Sequence, residues 1–358
     1  MIAPASGPRE PLEQRLLLVD VRAGSWRHGR IADLARWLSP GDLLVVNDAA
    51  TLPASLAATG PGGEPMEVRL AGELADGLWR AVLFGPGDWR TRTEHRPEPA
   101  RVEPGAELRV APDLTATVVG VDARAPRLVV VRFSTSGAAL WGAIYRHGRP
   151  VQYAHLSGPL ALSHVQTPFA SRPWAVEAPS AGRCVTWQLV ATLRQRGVRL
   201  AALTHAAGLS STGDAALDAA LPLPERYDLP EATVRAVARA RAEGRRVVAV
   251  GTTVARALEG CAAAHRGELV AGAGTTDLRI GPGLRLLIAD GVLTGLHEAG
   301  SSHRELLQAF APEPLLARAF GDAGARGYLG HEFGDACLVL AAGACAVESR
   351  SKGVSSSP

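Results

Sequence analysis

Lysine is almost missing from this chain: of 38 basic residues only Lys352 is one, and 35 acidic residues leave a formal charge of +3. So small an excess does not by itself mark a nucleic-acid surface, which needs basic charge gathered on one face. Arginine forks suit phosphate and carboxylate, but an arginine-only cation set is also what a GC-rich coding sequence produces. Aromatic residues are 5% of the chain, too few to name a stacking partner from composition. Four cysteines, Cys184, Cys261, Cys337 and Cys345, stand far apart with no CxxC pair and no Cys/His cluster, which speaks against structural zinc and against a disulfide scaffold. No apolar run approaches the roughly 18 to 20 residues that span a bilayer. The start, MIAPASGPRE, lacks the basic-then-apolar layout of a secretory signal. The expectation is a cytoplasmic, globular monomer with reduced thiols and no membrane contact.

What is present is apolar mass. Hydrophobic residues are 47% of 358, enough to bury a sizeable core, and the length suits two domains better than one. Residues 16–19 and 43–46 are continuous apolar runs that read as buried strands, and 31–38 carries apolar side chains at helical spacing. From about 59 to 132 the texture changes to short runs at 66–70, 78–84, 107–110, 114–121 and 128–133, separated by Gly/Pro turns. Several short strands so closely spaced predict a small antiparallel barrel or sandwich. After Ser134 the α/β pattern returns: helices over 137–147, 186–196, 230–244, 254–264, 301–310 and 314–325, and strands over 198–203, 247–250, 284–288 and 336–340. Thr186 is placed to cap its helix and Gly197 to end it. Residues 148–179 form a long irregular segment, and segments of that kind are often lids or binding surfaces. The expected architecture is an α/β main domain over 1–60 and 134–342, interrupted by an antiparallel β-barrel domain over 61–133, with a disordered tail over 343–358.

Strand ends carry the chemistry-bearing residues. In VVAVGTTVARALEG a buried strand delivers Gly251, and Thr252 and Thr253 open a helix whose free N–H groups suit a carboxylate, a phosphate or ribose hydroxyls. A plain strand-to-helix turn has the same sequence, and the glycine spacing is neither that of a Walker loop nor that of a dinucleotide fingerprint. Arg256 and Glu259 read as either a site pair or a surface pair. Thr204-His205 ends another strand with a group that titrates near neutrality, Leu293-Thr294-Gly295-Leu296-His297 a third, and Phe333-Gly334-Asp335-Ala336 sets a carboxylate at the last strand. A lone histidine is more often structural than catalytic. Several such ends converging on one sheet edge say more than any one of them.

The order of these motifs resembles one family. Leu38-Ser39-Pro40-Gly41-Asp42 running to Asn47-Asp48, Pro179-Ser180-Ala181-Gly182, Thr204-His205 with Gly208, Gly251-Thr252-Thr253 with Arg256, Thr276-Asp277, Leu293-Thr294 with His297, and Phe333-Gly334-Asp335-Ala336 look like the S-adenosylmethionine:tRNA ribosyltransferase-isomerases of queuosine biosynthesis. The resemblance spans about residues 16 to 340. It implies a two-domain α/β protein with an inserted β-barrel. It also implies a transferase-isomerase that moves the ribosyl moiety of its co-substrate, S-adenosylmethionine, to a 7-aminomethyl-7-deazaguanine in tRNA, releasing adenine and methionine. That chemistry needs a base beside the sulfonium, help for adenine departure and a grip on the methionine carboxylate, with no metal or redox cofactor. By the resemblance, His205, His297 and Asp335 are the catalytic candidates, and Asn47, Asp48, Ser180, Gly182, Gly251, Thr252, Thr253 and Arg256 the co-substrate-binding ones.

The chain also departs from the family pattern. Ala50 and Ser55 stand where arginines are usual, Arg183 and Cys184 replace a leucine and a histidine, and an aromatic-rich run near the end is reduced to Tyr328, His331 and Phe333. Lost aromatics remove stacking worth about 1–3 kcal/mol per base. These substitutions keep open a second reading, a diverged S-adenosylmethionine-using enzyme of the same fold acting on a non-tRNA acceptor.

Overall fold

The continuous runs at 43–46 and 247–250 become the centre of the fold for a simple reason: a parallel strand covered on both faces must be apolar on both. In the computed structural model, which describes residues 2–341, every residue of the strands Leu43–Asn47 and Val247–Val250 is buried. Leu43, Val45, Val247 and Ala249 pack with the helices Glu231–Ala242, Thr252–Ala264 and Glu313–Ala325. Leu44, Val46, Val248 and Val250 pack instead with the helix Trp187–Gln195 and the 3-10 turn Ile31–Arg36. The period of two thus sorts one strand between two cores.

The sheet has nine strands in the order Gly272–Thr276, Glu225–Leu229, Arg199–His205, Leu43–Asn47, Val247–Val250, Gly291–Gly295, Ala336–Leu340, Arg15–Asp20 and Ser25–Arg30. The four from Arg199–His205 to Gly291–Gly295 are mutually parallel, while Ala336–Leu340 runs antiparallel to its neighbour, with Gly295 opposite Ala336. The carboxyl ends of the four parallel strands and the start of Ala336–Leu340 therefore meet on one edge. Open α/β sheets bind ligands at such an edge.

The barrel is closed. Strands Ser55–Thr59, Pro65–Glu73, Leu78–Phe84, Leu128–Phe133, Leu114–Val121 and Glu107–Ala111 follow one another antiparallel, and the pairing of Thr59 with Arg109 joins last to first. Ser55–Thr59 is needed for closure, so the barrel reaches back before residue 61. Trp79, Phe84, Leu108, Val118 and Val131 fill its interior.

Several details differ from expectation. Residues 31–38 form a 3-10 turn over Ile31–Arg36 rather than an α-helix. The apolar run 284–288 is not a strand. The buried Glu259 carboxylate accepts the backbone N–H groups of Leu287 (2.7 Å), Ile288 (3.0 Å) and Ala289 (2.8 Å), taking the donors that a ladder would have used. Glu259 is thus neither a site nor a surface partner of Arg256. Thr186 does cap its helix, accepting from Leu189 N at 3.2 Å, and Gly197 ends it at φ +76°. The tail expected over 343–358 lies outside the described residues. No helix among the described residues is long and apolar enough to cross a membrane.

Candidate active site

At the carboxyl edge of the parallel strands lies a cleft of about 160 Å³. Its floor is the start of the helix Thr252–Ala264. Gly251 holds φ +99°, a conformation that favours glycine, and offers no side chain to cap the helix. The first N–H groups are left for a ligand, beside the buried Thr252 and Thr253 that line the same cleft. Asn47 sits one layer below. Its Nδ2 donates to the His205 carbonyl (3.0 Å) and to Thr253 Oγ1 (3.4 Å), while its Oδ1 accepts from the His205 and Ala49 N–H groups (both 3.0 Å). Asp48 accepts from Thr204 Oγ1 at 2.6 Å. Neither Asn47 nor Asp48 lines the cleft. Together they tie two strand ends and aim Thr253.

One wall is a charge pair that sequence reasoning missed. Glu225, 6% exposed, takes Arg256 Nη2 at 2.7 Å and Nε at 3.1 Å on one oxygen, and the Gly208 N–H at 2.7 Å on the other. Burial alone would raise its pKa, but Arg256, His205 and the Gly208 N–H outweigh that and hold the carboxyl below its ordinary value. Glu225, Tyr227 and Leu229 are the buried members of an alternating strand, so a carboxylate on an inward face was the available signal. His205 is fully buried and does not line the cleft. Its Nε2 lies 3.3 Å from Glu225 Oε2 but is not aligned to hydrogen-bond, and neither ring nitrogen has a partner. Burial, with Arg256 adding to it against Glu225, pushes its pKa down to about 4.

The opposite wall carries two more imidazoles. His297 follows the strand Gly291–Gly295, accepts or donates at Nε2 to Thr294 Oγ1 (2.8 Å), and stacks on His303 with ring centroids 4.9 Å apart. Burial first, then His303, His331 and Arg304, holds the His297 pKa well below the usual histidine value. His303, at the start of the helix Ser302–Leu307, is pushed down to about 4 by burial and by Arg256. Glu177, from the long irregular segment, closes a third side; it accepts from the Ser210 N–H (2.9 Å) and from the Tyr153 hydroxyl, and burial raises its pKa.

The fold therefore brings Ser180, Gly251, Thr252, Thr253, Arg256 and His297 to one cleft. Gly182 is buried in the turn Ser180–Gly182, where a Cβ would lie 3.1 Å from Thr167 Cγ2. Asp335 lines a smaller neighbouring cleft that shares Ser180 and Thr294. Its oxygens accept from Arg9 Nη1 and the N–H groups of Arg15 and Leu329, all at 2.9 Å, so it latches the N-terminal segment and the 329–335 turn to the sheet edge.

Comparison with known proteins agrees with this architecture. The model of the queuosine biosynthesis protein family matches residues 3–339. The S-adenosylmethionine:tRNA ribosyltransferase-isomerase of Thermus thermophilus is 35% identical over 348 residues, covering 92% of this chain and 94% of that one. The same enzyme of Thermosynechococcus vestitus is 35% identical over 342 residues, covering 94% and 92%. The crystal structure of S-adenosylmethionine tRNA ribosyltransferase from Thermotoga maritima superposes with a TM-score of 0.51 at 26% identity, covering 94% of this chain and 96% of that one. A match along nearly the whole chain, in both sequence and fold, means that this chain belongs to the queuosine biosynthesis family of S-adenosylmethionine:tRNA ribosyltransferase-isomerases.

Proposed function

We propose that the cleft at the sheet edge is where this enzyme moves the ribosyl moiety of S-adenosylmethionine to a 7-aminomethyl-7-deazaguanine in tRNA, giving epoxyqueuosine and releasing adenine and methionine. The observation that carries the assignment is that a helix start, a charge-compensated Glu225–Arg256 pair and the His297 imidazole line the same cleft. The methionine carboxylate is assigned to the uncapped N–H groups and hydroxyls at Thr252 and Thr253, with Arg256 beside them. Glu177 lines the side of the cleft left for the sulfonium, while Glu225 is already matched by Arg256 and the Gly208 N–H.

His297 is assigned the proton next to the sulfonium. A depressed pKa keeps its imidazole unprotonated at neutral pH, the form that accepts a proton, and the Thr294 hydroxyl orients the ring. His205 and Asp335 receive positioning roles: His205 packs behind Glu225, and Asp335 has both oxygens committed to Arg9 and backbone N–H groups. Asn47 and Asp48 position Thr253 and the strand ends. These steps draw on the chain's own residues and assign nothing to a metal. The tRNA acceptor, and with it a cytoplasmic location, is favoured over a non-tRNA acceptor by relatives that bear the tRNA-modifying name over more than nine-tenths of both chains.

The test is adenine release from S-adenosylmethionine with tRNA carrying the aminomethyl-deazaguanine. Adenine formed only with that tRNA supports the reading; adenine formed without it, or with another acceptor only, overturns it. His297→Gln separates the site from the reaction: unchanged turnover in that variant would move the chemistry away from this cleft.

A further inference from the structure

His155, His331 and Glu332 come together beside the smaller cleft from two distant parts of the chain, His155 in the long irregular segment and the other two in the turn before the last strand. One ligand atom of each lies within 4.8 Å of the others. His155 Nε2 is 3.1 Å from Glu332 Oε2, and His331 Nδ1 is 3.9 Å from the same oxygen. A four-coordinate ion with bonds of about 2.0–2.1 Å sets its ligand atoms about 3.3 Å apart, between those two distances.

Three features fit a cation better than a hydrogen-bond cluster. His155 Nε2 is buried and has no hydrogen-bond partner, because its short approach to Glu332 has the distance of a hydrogen bond but not the direction. The two imidazole rings lie 4.3 Å apart at 35°, crowding two groups that would repel if both were protonated. His331, whose Nδ1 lies toward Glu332, holds φ +64°, a left-handed conformation that costs a non-glycine residue energy. The charge is not wholly anionic. Arg183 stacks on Phe333 at 4.3 Å and donates to the Glu332 backbone carbonyl (3.4 Å), whereas Glu298 Oε1 stands 4.0 Å from His331 Nε2.

We propose that His155 Nε2, His331 Nδ1 and a Glu332 carboxylate oxygen bind one divalent ion of the borderline class, zinc or a close relative. Two nitrogens and one carboxylate oxygen suit that class, and three protein ligands leave a position for water or a ligand oxygen. The ion pins the 148–179 segment to the turn that holds Asp335. His331 and Glu332 line the smaller cleft, which adjoins the reaction cleft through Ser180 and Thr294, while His155, His331 and Glu332 themselves do not line the larger one.

The full chain, stripped with a chelator and exchanged into metal-free buffer, is titrated with zinc in competition with a chromophoric chelator of micromolar affinity, and with cobalt(II) alone. One equivalent of zinc withdrawn from the chelator, with visible d–d absorption from bound cobalt, is the expected result. His331→Ala and Glu332→Ala each weaken zinc binding at least about tenfold. His303→Ala, at the other stacked histidine pair, leaves it unchanged. Two outcomes overturn the proposal: wild-type protein that takes no zinc from the chelator, or both cluster variants binding with wild-type affinity. Adenine release plays no part in the measurement, so failure here leaves the proposed reaction untouched.

Discussion

His205 offers a test of whether a titratable group at a strand end is catalytic or structural. In the folded protein its imidazole is fully buried and its pKa lies at about 4, against an ordinary 6.5. The unfolded chain therefore binds the proton more tightly, and folding expels it; stability falls as the pH drops from 6.5 toward 4. At pH 5.0 about 97% of unfolded chains and about 9% of folded ones would carry this proton, a difference worth about 2 kcal/mol, rising to about 3 kcal/mol below the folded value. The assay is urea unfolding of wild type and His205→Gln at pH 7.5 and pH 5.0. Other histidines titrate in both proteins, so the difference between the two pH dependences isolates His205. Wild type should lose about 2 kcal/mol more than the variant on acidification. Equal pH dependence, within about 0.5 kcal/mol, would mean that the ring is solvated or paired in the folded state and that the burial argument is wrong.

Three more outcomes follow from the site. Arg256→Ala leaves Glu225 buried without its cation and should cost about 3–5 kcal/mol in urea unfolding while raising the KM for S-adenosylmethionine; Arg256→Lys should recover only part of both, because one ammonium cannot replace the paired Nε and Nη2 contacts. His297→Gln should lower kcat by about 10² to 10⁴ with little change in the urea midpoint, and wild-type kcat should show no rise through the ordinary histidine range near pH 6.5, because burial holds the His297 pKa well below it. Asp335→Asn presents an NH₂ where an acceptor is needed; a loss of about 1–3 kcal/mol of stability with kcat within about twofold would match a latch, whereas lost kcat at unchanged stability would restore it as a proton donor.

The helix start at Thr252 illustrates what local pattern carries. A β-branched apolar run, a glycine and two threonines state the strand, the turn and the helix start within eight residues, and these three are where the pattern puts them. Glu225 illustrates the opposite case. It sits 31 residues before Arg256, and nothing in either neighbourhood says that the two meet. The 284–288 run reads as a strand because its apolar residues are strand-like, yet a carboxylate from a helix nearly thirty residues upstream takes its N–H groups. Asn47, Asp48 and His205 were legible as strand-end residues but not as supports, since whether a polar side chain faces a ligand or a neighbouring strand depends on which strands adjoin.

Alternation, apolar runs and Gly/Pro turns determine most of the strands and helices and mark where the barrel's short strands begin, because each depends on residues a few positions apart; closure of the barrel by Thr59 and Arg109 does not. The tertiary structure decides the rest: which four strand ends share an edge, that Glu225 rather than His205 faces the cleft, and that His155 meets His331 and Glu332. Those outcomes depend on pairing between strands far apart in the chain. Burial then sets the charge state of each group, and burial is a property of the assembled fold that residue type alone does not carry.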